Sequence, residues 1–349
     1  MRIATLAAIT IAAAPCIAQD NQAQQACAGL LNHPELTIHL AEIRTMAAGA
    51  TSYCYVRGFI APGIRYHVQL PLPANWNERF LHWGDGGKDG DLDFADHRLA
   101  QGYAVANSNM GHDAGSEPGA SFGFNNRQAE IDFAYRAVHL TVNAAKTLVR
   151  AYYHKPPKFS YHEGCSTGGR EGLIEAQRFP YDFDGIVAGA PVNYYQQLNA
   201  ATTWFLQRLY RDLFAGALAF DTDGDGRLDS LAKMKLLEDA VLQKCDALDG
   251  VNDGVVSDPG GCPFDPGSDL KAHLCPGDKN VDGCFTSRQI QTIRDFYRGP
   301  YDSKGVRAYW GKAKGSESLW TGWVYSKQLQ SIPASRRGTG KRSSELPVL

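Results

Sequence analysis

Residues 158–178 read Lys158-Phe-Ser-Tyr-His-Glu-Gly-Cys-Ser-Thr-Gly-Gly-Arg-Glu-Gly-Leu-Ile-Glu-Ala-Gln-Arg178. The residues over 158–162 predict a strand and those over 170–178 a helix. Between them Gly164-Cys-Ser-Thr-Gly168 spells G-x-S-x-G, and strand, sharp glycine turn, helix is the context that motif needs. Small neighbours let Ser166 sit on a strained backbone with its hydroxyl exposed, while the helix aims its first N–H groups at a developing oxyanion. Ser166 is therefore a candidate nucleophile for acyl transfer, and the N–H of Thr167 a candidate oxyanion donor.

Working outward, 66–72 alternates as a strand should, and 79–83 is a short apolar strand running into Gly84-Asp-Gly-Gly-Lys-Asp-Gly90. That glycine loop is placed to offer a second oxyanion N–H. A further strand is predicted over 102–107. A long helix is predicted over 130–154, with Ile131, Ala134, Val138, Val142, Ala145 and Val149 at helical spacing, ended by Pro156 and Pro157. Another strand is predicted over 185–188. Strands alternating with helices define an α/β fold with a sheet parallel in its centre. From about 194 to 323 the alternation stops, and an irregular Asp-, Gly- and Cys-rich region is expected to form an inserted second domain. The stretch 328–349 has no apolar period and reads as a disordered tail. The expected divisions are 1–18, 19–192, 193–327 and 328–349.

A chain of 349 residues suffices for about two domains. Its 35 Lys+Arg against 37 Asp+Glu argue against a nucleic-acid binder, which needs a basic face, and 44% hydrophobic residues argue against disorder. After position 18 no 18-residue apolar run occurs, so no membrane span is expected. Arg2, the apolar run 3–14 and Cys16-Ile-Ala18 read as a signal peptide cleaved after Ala18, which places the protein in the periplasm or outside the cell. Export implies an oxidising compartment. Without Cys16 seven cysteines remain, and the simplest local pairing is Cys27–Cys54, Cys245–Cys262 and Cys275–Cys284. Cys165 is then unpaired beside Ser166, or is simply a small buried residue at a strand end.

A serine nucleophile needs a base and an orienting acid, which in this kind of fold follow the serine as acid and then histidine. The one histidine after Ser166 is His273, in a loop between proline- and cysteine-rich segments, and it reads as an ordinary loop histidine. His82, His112 and His162 precede the serine. The acid and the base are therefore expected to be absent from this chain.

Two acidic runs suggest a hard cation. Asp246, Asp249 and Asp253, with Gly250 and Gly254 between them, place carboxylates in a turning loop beside Cys245, a donor type suited to calcium. Asp221-Thr-Asp-Gly-Asp-Gly-Arg-Leu-Asp229 resembles the front of an EF-hand loop, but Ala232 stands where a bidentate carboxylate belongs. It is either a second, weaker site or a solvated turn.

The runs Gly164-Cys-Ser-Thr-Gly-Gly-Arg-Glu-Gly172, Gln177-Arg-Phe-Pro180 and Phe183-Asp-Gly-Ile-Val-Ala-Gly-Ala-Pro191 resemble the tannase and feruloyl esterase family of serine hydrolases, which includes mono(2-hydroxyethyl) terephthalate hydrolases. Asn75-Trp-Asn77, Gly111-His-Asp113 and Cys245-Asp-Ala-Leu-Asp-Gly-Val-Asn-Asp-Gly-Val255 extend the resemblance over roughly 27–324. It implies an α/β-hydrolase core with a large calcium-binding, disulfide-rich lid. It also implies Ser166 as nucleophile and the N–H groups of Thr167 and Gly87 as the oxyanion hole. A structural calcium would be held by Asp246, Asp249 and Asp253 with the carbonyls of Val251 and Val255. In the family the cysteine before the serine pairs with one following the catalytic histidine. No His-Cys dipeptide occurs here, so a C-terminally truncated or frame-shifted member is expected. The expected activity is hydrolysis of phenolic or aromatic acid esters, small-molecule substrates, through an acyl-enzyme. The alternative is an inactive member that retains calcium or ligand binding only.

Overall fold

The structure, a computed structural model, describes residues 14–46, 51–88, 90–117, 119–224 and 228–320. Among the described residues the chain divides into two compact units, one ending at Asn193 and the other beginning at Tyr194. Most of the expected leader and all of the expected tail lie outside the described residues. The chain is helical in α1 (Ala14–Gly29), across the position expected for cleavage. Among the described residues no helix is long and apolar enough to cross a membrane.

In the first unit α1 is followed by β1 (Thr37–Thr45), β2 (Ser52–Ile60), β3 (Ile64–Pro71), β4 (Arg79–Trp83), α2 (Asp96–Ala100) and β5 (Ala104–Ser108). Then come α3 (Arg127–Ile131), a π turn (Asp132–Arg136), α4 (Ala137–Tyr153), β6 (Phe159–Cys165), α5 (Thr167–Arg178) and β7 (Gly185–Gly189). The strands form one sheet in the order β1-β2-β3-β5-β4-β6-β7. It is parallel from β5 to β7 and antiparallel from β1 to β5. The sheet is thus mixed, with a parallel half where helices connect the strands and an antiparallel half, including β1 and β2, that the sequence reading did not assign.

Apolar burial explains these elements. Val56, Val68, Phe80 and Val105 are buried in the sheet, and Val138, Val142, Ala145 and Val149 form the buried stripe of α4. The helix expected over 130–154 differs in two ways. It begins earlier, where the Asn126 side chain accepts from Ala129 N, and it is interrupted by the π turn. There the carbonyls of Phe133 and Ala134 accept from the Arg170 guanidinium at 3.0 and 3.1 Å. A wider turn leaves helical carbonyls to an outside donor, and Arg170 is that donor. His154, at φ 58°, ends α4 just before the two prolines. The disulfide Cys27–Cys54 ties α1 to β2.

The second unit corrects the expectation of irregular structure. It contains α6 (Tyr195–Phe214), α7 (Ala232–Cys245), α8 (Pro266–Asp269) and α9 (Ser287–Arg298). Phe205, Leu209, Leu237, Val241, Ile293 and Phe296 form its buried core. On α9 the positions Ile290, Ile293 and Phe296 repeat at helical spacing, and Thr286 with Gln289 forms a capping box at its start. The turns around the helices are pinned by Cys245–Cys262 and Cys275–Cys284.

Candidate active site

Ser166 sits between the end of β6 and the first residue of α5 at φ 59°, ψ −112°, a conformation that a side chain rarely adopts. It is the N-cap of α5, yet its hydroxyl, unlike that of an ordinary capping serine, accepts no helix N–H. The backbone is held from both sides: Ser166 N donates to Gly189 O at 3.0 Å, and Ser166 O accepts from Arg170 N and Val192 N at 3.1 Å each. The side chain is left exposed. Close approach of strand and helix explains the glycines. A Cβ on either Gly84 or Gly164 would stand 2.7 Å from Gly168 Cα.

The glycine loop after β4 is fastened to the start of α5. Thr167 Oγ1 donates to Gly87 O at 2.7 Å, Gly168 N to Asp85 O at 2.8 Å, and Asp85 N to Glu171 Oε2 at 3.2 Å. Gly87 has φ 57°, a conformation suited to glycine. From the other side buried His112 donates from Nε2 to Lys88 O at 3.1 Å. The N–H of Thr167 lies in the first turn of α5, where helical N–H groups lack an intrahelical acceptor. These contacts bring Ser166, Thr167 and Gly87 into one constellation. The motif spacing did not reveal the Thr167 hydroxyl, His112, Arg170 or Glu171 as its supports, although all four lie in the glycine-flanked motifs.

Beneath the elbow, His82 of β4 and His162 of β6 stack at 5.3 Å between ring centroids. His162 Nε2 donates to Gly168 O at 2.8 Å, so its Nδ1 is left to accept from His82 Nδ1 at 3.2 Å. Burial lowers the His162 pKa to about 4 and holds His82 well below the usual histidine range. Both rings are neutral supports. Among the described residues no histidine nitrogen is hydrogen-bonded to Ser166 Oγ, and His273 lies in the turn Lys271–His273 of the second unit. Cys165 is a free thiol and is exposed, which corrects the alternative of a buried strand-end residue.

The family model for tannase and feruloyl esterase matches residues 48–346. The chain belongs to the tannase and feruloyl esterase family. Similar relatives include a probable feruloyl esterase B-2 of Aspergillus flavus, 35% identical over 290 residues, and the mono(2-hydroxyethyl) terephthalate hydrolase of Piscinibacter sakaiensis, 33% identical over 319 residues. The alignments cover 79% and 82% of this chain but 51% and 52% of those proteins, so the chain spans about half the length of the curated relatives it matches. The crystal structure of feruloyl esterase B from Aspergillus oryzae superposes with a TM-score of 0.70 at 26% identity, over 93% of this chain and 67% of that one. The family and these relatives are carboxylic ester hydrolases.

Two other motifs of the tannase and feruloyl esterase resemblance brace the same region. Trp76 stacks on Tyr153 at 3.8 Å and Asn77 Oδ1 accepts from Arg79 N, which docks the start of β4 on the end of α4. In Gly111-His-Asp113, Asp113 pairs with Arg65. Tyr55, Arg57, Arg65, Leu92, Phe94 and Asp113 line a cleft of about 300 Å³ that does not include Ser166.

In the acidic loop Asp246 Oδ1 accepts from Asp253 N and Gly254 N, Asp249 Oδ1 from Val251 N, and Asp253 Oδ1 from Val255 N. Gly250 and Gly254, at φ 91° and 80°, turn the loop. The donors match calcium in kind, being hard carboxylate and carbonyl oxygens on turning backbone. The three carboxylates do not form one set of oxygens all within 4.8 Å of one another, and each accepts from backbone N–H groups. An ion would have to draw them off those N–H groups. In the second run Asp225, Gly226 and Arg227 lie outside the described residues, and Asp229 accepts from both N and Oγ1 of Thr222.

Proposed function

We propose that this chain carries the nucleophile and oxyanion donors of a secreted or periplasmic serine ester hydrolase acting on esters of phenolic or aromatic acids. One observation carries the reading: Ser166 stands at the N-terminus of α5 in a strained conformation with a hydroxyl that is exposed and not used for capping. In the proposed reaction Oγ attacks the ester carbonyl, and the oxyanion accepts from the N–H groups of Thr167 and Gly87. The alcohol leaves, and water then hydrolyses the acyl-serine. The proton on Oγ passes to a base outside the described residues. The substrate class is supported by the feruloyl ester and terephthalate ester hydrolases among the relatives. Export is supported by the three disulfides.

Release of ferulate from methyl ferulate, followed with the wild-type chain and Ser166→Ala, tests this. Loss of roughly 10³-fold or more in the variant is expected. Equal rates, or failure of a fluorophosphonate to label Ser166, would end the catalytic reading of this chain and leave the inactive alternative. We further propose that calcium binds the Asp246–Asp253 loop as a structural ion. Added calcium is then expected to raise the melting temperature of the wild type and not of Asp246→Asn.

A further inference from the structure

Behind the elbow helix lies a cluster of side chains that ester hydrolysis leaves unused. His139 on α4, Glu175 on α5 and Asp182 in the turn before β7 bring one nitrogen and two carboxylate oxygens within 4.8 Å of one another. Among the described residues no other three histidine, cysteine or acidic side chains converge so closely. His139 Nδ1 is 2.6 Å from Asp182 Oδ2, and its ring lies flat on Phe179 at 3.9 Å. Glu175 is 1% exposed, and its carboxylate meets no N–H or ammonium donor of the protein; the group beside it is the Asp182 carboxylate, with which it could share a proton. Lys146 directs its ammonium to the carbonyl of Asp182 rather than to Glu175. A buried carboxylate with unmet acceptors is unfavourable unless a proton or a cation joins it. Burial, with the neighbouring Asp182 as the next cause, raises the Glu175 pKa.

We propose that His139, Glu175 and Asp182 form a binding site for one divalent transition-metal ion, Zn²⁺ by its donor set, that clamps α4, α5 and the turn into β7 together. One imidazole nitrogen and two carboxylate oxygens match a zinc site with three protein ligands and water in the fourth position. Ligands about 2.1 Å from tetrahedral zinc stand about 3.4 Å apart, so the His139–Asp182 contact opens by about 0.8 Å on binding. Nδ1 becomes the ligand, its proton moves to Nε2, and the Asn143 amide, now 3.1 Å from Nε2, turns its oxygen to accept it. The His139 side chain is 28% exposed and gives the ion a path from solvent.

Zinc content after equilibrium dialysis tests the site. The parent protein is Cys165→Ser, because the exposed thiol is itself a zinc ligand, and calcium is kept saturating to occupy the acidic loop. One zinc per chain is expected in the parent and none in its His139→Gln and Glu175→Gln derivatives. Their affinity should fall by more than the roughly 10–100-fold typical of losing an outer partner of a ligand. Cobalt bound by the parent should show visible d–d absorption that both derivatives lack. His139→Gln is the variant least able to disturb the fold, and near-UV circular dichroism checks that it is native. Zinc stoichiometry that stays the same in native His139→Gln, or falls short of one in the parent, overturns the proposal and leaves the cluster as a proton-sharing acid pair.

Discussion

At the scale of single residues, the strain at Ser166 separates stability from chemistry. A side chain at φ 59° is disfavoured and glycine is not, so Ser166→Gly is expected to be more stable than Ser166→Ala by about 1 kcal/mol, in urea unfolding. Equal midpoints would mean that the elbow stores no strain. The histidines under the elbow make a second prediction. His162 titrates near 4 in the folded chain and near 6.5 unfolded, so its contribution is fully present above pH 6.5 and is lost as pH falls towards 4. The loss is at most about 1.4 kcal/mol per pH unit for one such group. His162→Gln, which can still donate to Gly168 O, is expected to flatten the pH dependence of unfolding between 6.5 and 4 by about one proton. An unchanged slope would place the acid sensitivity elsewhere, with buried His67, also lowered to about 4, the next group to test. Ser166 was legible because its signal is local: two glycines, a strand before and a helix after. The Thr167 hydroxyl was not, because its partner Gly87 O lies 80 residues away in the chain.

At the scale of elements, the π turn Asp132–Arg136 shows what periodicity misses. The apolar stripe of 130–154 runs on through the insertion, and the cause of the insertion, Arg170, lies 36 and 37 residues from the carbonyls it takes. Arg170→Met keeps much of the apolar contact with Phe133, over whose ring the guanidinium lies at 4.6 Å, but leaves two helical carbonyls unpaired. A loss of about 2–4 kcal/mol in urea unfolding is expected, and no change would mean that the π turn stands without its donor. The strand β2 holds a glycine within it. Gly58 reads as a breaker, yet a Cβ there would stand 2.2 Å from the ring of Tyr66 on β3, so the glycine is what lets that ring cross the strand. In the second unit the cysteines and Asp-Gly runs mark turns, and helices run between them.

At the scale of the whole molecule, covalent and topological ties act together. Cys27–Cys54 closes a loop of sequence separation 27, and its removal by Cys27→Ala with Cys54→Ala is expected to lower stability by about 3–4 kcal/mol, read as an earlier denaturation midpoint. A shift under 1 kcal/mol would mean that α1 is held by packing alone. The alternation of strands and helices revealed the parallel half of the sheet, whereas the order in which strands lie beside one another was not readable, because it depends on pairings between distant segments. That order also sets a sequence in time. The hairpin of β2 and β3 pairs Ile60 with Ile64, while β4 pairs Arg79 with Phe159 of β6. Short loops close sooner than long ones. Pulse-labelled hydrogen exchange during refolding is therefore expected to protect β2 and β3 first and β6 last. A young chain would have most of its sheet before it had an elbow, and Ser166 would be among the last residues to mature.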